Sequence, residues 1–180
     1  MTDSNLITTT DLVKTFTMGS HEFTALNKIN LSFKTGEFSG LVGPSGSGKT
    51  TFLNILGSLD VPTQGKAVVF GHSISELSTK KMAELRNHHL GFIFQTYNLL
   101  AVYTVYENVE LPLLLLKMPE AERKKAVLQS LEWVGLTDKI KSRPAQLSGG
   151  ECQRVSIARA MVKKPKLVLA DEPTANLDAH

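Results

Sequence analysis

The residues best suited to chemistry begin at Gly43-Pro44-Ser45-Gly46-Ser47-Gly48-Lys49-Thr50, which fits the pattern G-x-x-x-x-G-K-[ST] between an apolar run and a helical one. Glycines let successive backbone N–H groups turn toward one anion, and the following helix adds its positive end. Lys49 is placed to neutralise β- and γ-phosphates, and the Thr50 hydroxyl to ligate Mg²⁺, with Ser45, Ser47 and Thr51 completing the cradle. A second group, Leu167 to Ala170 followed by Asp171 and Glu172, is an apolar strand ending in two carboxylates. A strand held in a sheet would fix Asp171 at its carboxyl edge, where it can hold Mg²⁺ through water, and Glu172 could polarise an attacking water. Alone, this pair also fits an ordinary strand-to-turn boundary. A third group, Leu147-Ser148-Gly149-Gly150-Glu151, offers an N-cap serine and two glycines ahead of a helix, a second backbone opening to an anion.

These groups need strands and helices to hold them. Ile29, Leu31 and Phe33 alternate with polar residues as in a half-buried strand, and a second strand is expected at 38–42, just before the glycine-rich loop. Helical spacing follows at 50–56, a strand at 66–70, a polar helix near 75–86 and a buried strand at 90–94. From Thr104 the pattern is helical, with Pro112 read as a kink or break and Pro119 as a first-turn residue of the next helix. Val127, Leu131 and Val134 mark that helix's apolar face, and Gly135 is placed to end it. A helix at 150–162 and a strand at 167–170 complete the series. Strands alternating with helices predict an α/β fold with a mainly parallel sheet.

Taken together and in this order, the three groups closely resemble the ATP-binding cassette (ABC) ATPases. The resemblance covers essentially the whole chain. It implies a P-loop NTPase fold with an N-terminal antiparallel β portion and a helical subdomain, about 96–162, that carries the signature motif, all within one domain over 1–180. It also implies that Gln95 is the Q-loop glutamine, acting in catalysis and on the metal, and that Asn176-Leu177-Asp178 is the D-loop, with Asp178 near the nucleotide. Phe16 stands where the family usually places a tyrosine to stack on adenine, a contact that does not need the hydroxyl, although a core phenylalanine is an alternative there. The family mechanism pairs two subunits head to tail, with Ser148, Gly149 and Gly150 of one meeting ATP bound at Gly43, Gly46, Gly48 and Lys49 of the other. Segments such as Glu84-Leu85-Arg86, Asn98-Leu99-Leu100 and Glu107-Asn108-Val109 are similar to the subgroup that serves lipoprotein release and macrolide export, which implies a separate transmembrane permease met by about 97–116.

Composition agrees with this picture. The chain has 180 residues, 42% apolar and 21% charged, with a formal charge of +3. The charge is too small and too evenly spread to argue for nucleic acid. The longest nearly pure apolar run, Leu111 to Leu116, is far short of the roughly 20 residues that cross a bilayer. The first residues lack a secretory pattern, and the single Cys152 forms no internal disulfide, so the expected place is the cytoplasm, and the resemblance implies a peripheral position on the inner face of the cell membrane. Cys152 reads as a packed residue rather than a reactive thiol. His180 directly follows the D-loop, too early for the family's switch histidine.

The chain reaches only just past the D-loop, and the resemblance therefore implies a C-terminally truncated cassette, with weak or absent hydrolysis and reduced stability. Two rival functions fit the same residues less well. A soluble ABC ATPase acting on chromosomes or ribosomes would carry long coiled-coil insertions or two cassettes, and neither pattern is present. A regulatory module that binds ATP without hydrolysing it is disfavoured by the intact Lys49, Asp171 and Glu172.

Overall fold

A long β-hairpin forms the first sheet. Strands β1 (Asn5–Met18) and β2 (His21–Lys34) pair antiparallel, β3 (Gln64–Val69) joins the other edge of β1, and β4 (His72–Ser73) follows, giving the order β2-β1-β3-β4. The structure, a computed structural model, describes residues 5–173. It comprises two units, Met1–Glu84 and Leu85–His180. Sequence alternation revealed only the middle of β2, because β1 is irregular. Its register shifts between Thr9 and Leu12, and Asp11 there adopts a left-handed φ of 43°. The Asp11 N–H donates to Asn30 Oδ1 at 2.8 Å across the bulge, which replaces the lost ladder bond. Helix α1 (Lys49–Leu56) rests on β2 and β3, burying Phe52, Ile55 and Leu56 in the same unit as Ile7, Leu12, Leu26 and Val69.

The strand expected at 38–42 does not form. Residues 37–44 carry no regular structure, and Phe38 and Val42 are fully exposed. Ser39 and Gly40 interrupt the apolar run, and without a ladder partner such a segment has little to hold it extended.

In the second unit β5 (Leu90–Ile93) and β6 (Leu167–Ala170) pair in parallel, and Asp171 N–H extends the ladder to Ile93 O at 2.9 Å. Helix α2 (Thr79–His89) leads into β5, later than the helix expected at 75–86 because residues 74–76 form a 3₁₀ turn. Three helices supply the main core: α3 (Val105–Leu115), α4 (Glu120–Trp133) and α5 (Gly149–Met161) bury Val105, Val109, Leu113, Val127, Leu131, Val155 and Ala158 against one another. Pro112 neither breaks nor ends α3, which continues to Leu115, and Pro119 sits one position earlier than expected, as the N-cap of α4. Thr104 and Glu107 close a reciprocal cap at the start of α3, and this bond with the Thr104 backbone holds the Glu107 carboxyl below the usual range. Fully buried Asn108 reaches back over the preceding turn, accepting from Leu100 N–H at 2.8 Å and donating to Leu100 O, Tyr103 O and Thr104 O at 3.1, 3.3 and 2.9 Å.

After α5, Lys163 Nζ donates to Arg86 O in the last turn of α2 at 2.7 Å. Burial pushes this ammonium down to about 8. Below that pH the folded chain carries a charge it holds less well than the unfolded chain does. Between about pH 8 and 10.5 the unfolded state binds more protons, so this group's contribution to stability rises with pH. Thermal unfolding of the wild type against Lys163→Met is expected to show a relative gain for the wild type on the order of 1 kcal/mol from pH 7.5 to 9.5, after allowing for solvent at the ammonium. Parallel curves would refute it.

Candidate functional site

In the first unit the glycine-rich loop runs directly into α1. Gly46 and Gly48 take φ of 77° and 88°, which an L side chain adopts only under strain, and Ser47 N–H donates to Pro44 O at 3.3 Å. Gly48 is doubly constrained, since a Cβ there would stand 2.5 Å from Ala25 O on β2. This close approach seats the start of α1 against the sheet. Gly48 is also the N-cap, so no side chain satisfies the helix end, and the first turn has no acid. The positive end of α1 thus carries neither an N-cap side-chain bond nor an acidic residue in its first turn. Lys49 folds along the loop and donates to Gly43 O and Pro44 O at 2.8 and 2.9 Å, spanning the cradle with its ammonium. Ser45, Gly46, Ser47 and Thr50 lie exposed beside it, with Thr51 partly buried in the first turn.

Phe16 lies on β1 opposite Phe23 and keeps 38% of its surface exposed, so it is not a core residue. Lys14 Nζ sits 5.0 Å from the ring centroid, anchored by Asp60 at 2.7 Å and Val61 O at 2.9 Å. Sequence reasoning missed this cation over the ring; the i, i+2 spacing on one strand face was its only signal.

In the second unit two distant residues meet. Gln95, just beyond β5, donates from Nε2 to Glu172 Oε2 at 2.8 Å. Glu172 follows Asp171 at the end of β6 and has a left-handed φ of 47°. The parallel pairing of β5 with β6 makes the meeting possible, because both residues leave the sheet at its carboxyl edge. Ser148 caps α5 by accepting from Glu151 N–H at 3.2 Å, while Glu151 accepts from Ser148 N–H at 2.7 Å. That cap holds the Glu151 carboxyl below its ordinary range, and Gly149 and Gly150 open the helix beside it. Cys152 is buried, its Sγ is 3.7 Å from Pro144 O, and burial pushes the thiol up, in keeping with a packed residue.

Two further contacts from α5 were not foreseen. Gln153 Nε2 donates to Pro173 O at 2.8 Å, and Arg159 donates to Asn98 O and Tyr97 O, both at 2.6 Å. In the sequence both looked like ordinary polar positions of a helix. The one hint was that Gln153 falls among the positions that the α5 core residues occupy. Asp178, with Asn176, Leu177 and His180, lies outside the described residues.

Among the described residues no cluster of His, Cys, Asp and Glu could by itself hold a metal ion. The donors expected for Mg²⁺ are instead a hydroxyl, a carboxylate and an amide oxygen, at Thr50, Asp171 and Gln95. The Gln95 amide uses its nitrogen on Glu172, so its oxygen is the end that would serve a cation. Thr50 belongs to the first unit and Asp171 and Gln95 to the second, and each offers the kind of oxygen donor that suits a hard cation.

The sequence model of the family described as ABC transporter matches residues 26–175. An uncharacterised ABC transporter ATP-binding protein of Thermotoga maritima is 47% identical over 168 residues, 93% of this chain and 72% of that protein. The uncharacterised ABC transporter ATP-binding protein YvrO of Bacillus subtilis is 44% identical, covering 96% of this chain and 76% of its own length. The dimeric post-hydrolysis structure of the ATP-binding cassette MJ0796, bound to ADP and Pi, superposes with a TM-score of 0.91 at 42% identity, over 96% of this chain and 76% of that one. The fold is thus the P-loop cassette fold, and the chain belongs to the ABC transporter family, as an ATP-binding subunit of the ATP-hydrolysing kind.

Proposed function

We propose that residues 1–180 belong to a single ABC ATPase domain, with about 96–162 in its helical subdomain, and that it powers a separate permease of the lipoprotein-release or macrolide-export type. In this reading the loop from Gly43 to Thr51 binds the ATP phosphates, with Lys49 supplying charge and the exposed face of Phe16 stacking on adenine. Thr50, Asp171 and Gln95 are the residues that would hold Mg²⁺, which would supply charge neutralisation for the phosphates. Glu172 accepts a proton from the water that attacks the γ-phosphate in line, and the α5 N-terminus, with Ser148, Gly149 and Gly150, stabilises the charge that develops on ATP held by a second subunit. The 2.8 Å bond between Glu172 and Gln95 carries the catalytic assignment, because it joins the base to the residue that would sense the metal.

The permease assignment rests on the segment after Gln95. Val102 and Leu115 are 74% and 59% exposed, and Leu100, Tyr103 and Leu114 are exposed beside them in sequence. Such side chains suit a protein partner better than solvent. Among the described residues no helix is long and apolar enough to cross a membrane, so in this reading the translocation path belongs to that partner and the cassette works from the cytoplasmic face. Fractionation of cells producing the protein with its permease tests this. Co-purification with membranes is expected, whereas retention on RNA or DNA at moderate salt, with none on membranes, would favour a nucleic-acid role.

A further inference from the structure

We propose that Gln153 and Arg159 are positioning residues that hold, from one helix, the backbone on both sides of the Gln95–Glu172 pair. The proposal rests on the reading of Glu172 as the general base. Glu172 is followed by Pro173, whose carbonyl takes the Gln153 amide at 2.8 Å. Gln95 lies two residues before Tyr97, and the Tyr97 and Asn98 carbonyls take the two arms of the Arg159 guanidinium at 2.6 Å each. Both gripped segments are ones the chain does not hold easily by itself. Glu172 has a φ of 47°, and Tyr97 and Asn98 have φ of 23° and 49°, all left-handed at non-glycine residues.

A helix is a stiff ruler. Six residues separate the two grips along α5, a rise of about 9 Å. Their separation fixes the distance between two backbone turns whose side chains must meet at 2.8 Å. Ser148 caps the same helix, so a change at its capped end would reach the Glu172 turn and the Gln95 turn together.

Packing alone does not account for Gln153. The residue is 1% exposed, and among the described residues its Oε1 has no hydrogen-bond partner. A buried carbonyl oxygen without a partner works against stability. Leucine would fill similar space without that defect, so the amide is explained by the bond to Pro173 O. Arg159 is likewise drawn out of water, and burial lowers the pKa of its guanidinium, while both of its described partners are neutral carbonyls.

The test compares Gln153→Leu, Arg159→Lys and Glu172→Gln with the wild type, using the full chain, ATP turnover, ATP affinity and thermal unfolding. Gln153→Leu should lower kcat about 10- to 100-fold, the range seen when groups supporting a reactive centre are removed, with KM and Kd for ATP within about twofold. Its Tm should equal or exceed that of the wild type. Arg159→Lys keeps the charge but loses the fork, and should lower kcat less, again without moving KM. If Gln153→Leu does not fold, the kcat-against-KM split in Arg159→Lys decides the question. Wild-type kcat in both variants while Glu172→Gln is inactive would overturn the positioning role. A fall in kcat accompanied by equal losses of affinity and Tm would also overturn it, as the mark of a merely structural residue. Wild-type turnover by Glu172→Gln would instead overturn the base assignment, and the positioning role with it.

Discussion

Glu172→Gln lowers ATP turnover by roughly two to four orders of magnitude, the range of general-base catalysis, while ATP affinity changes by less than about twofold. The substitution replaces one carboxylate oxygen by an amide of the same shape and removes the ability to take a proton. The contact with Gln95 survives, because the remaining carbonyl oxygen can still accept from Gln95 Nε2. Geometry is preserved while the base is lost, which separates chemistry from binding. If two subunits share ATP between them, blocking hydrolysis should also make the ATP-bound dimer persist. Light scattering in excess ATP is expected to show a dimer that the wild type loses as it consumes nucleotide. Turnover within about fivefold of the wild type would remove Glu172 from the role of base.

Lys49→Ala is expected to weaken ATP binding by more than about 100-fold, measured by titration with a fluorescent ATP analogue. Charge-assisted hydrogen bonds to phosphate contribute roughly 1.5 to 3 kcal/mol each, so losing two is enough. The ammonium also spans the loop through Gly43 O and Pro44 O at 2.8 and 2.9 Å, so alanine loosens the cradle as well as emptying it of charge. Thermal stability without nucleotide should change little, because both bonds are exposed to solvent. Unchanged affinity would show that phosphates bind elsewhere.

What the sequence revealed depended on how local each feature is. The glycine-rich loop and the capped start of α5 were legible because Gly48, Lys49, Ser148 and Glu151 act within one turn of themselves. The hairpin of β1 with β2 was mostly hidden, since the left-handed residues Asp11 and Lys28 break the period-two pattern that marks a strand. Residues 38–42 show the reverse case: an apolar run predicted a strand, yet strand formation depends on a partner that no local pattern encodes. Pro112 misled because its cost to a helix can be offset by burial on either side, here of Val109 and Leu113. The meeting of Gln95 with Glu172 was not legible: family resemblance gave each residue a role, and the bond between them depends on the parallel pairing of β5 with β6. The grips of Gln153 and Arg159 are tertiary, and one helical pattern does not distinguish a glutamine that faces water from one that holds a distant carbonyl.

The Asn108 clamp has a thermodynamic consequence. One buried side chain fastens Leu100, Tyr103 and Thr104 through four hydrogen bonds, so the turn that displays Leu100, Val102 and Tyr103 is already ordered before anything touches it. Association there loses little backbone freedom, and more of the apolar contact free energy appears as affinity. A partner would dock against a prepared surface rather than mould one, with dissociation, more than loop ordering, setting the lifetime of the complex.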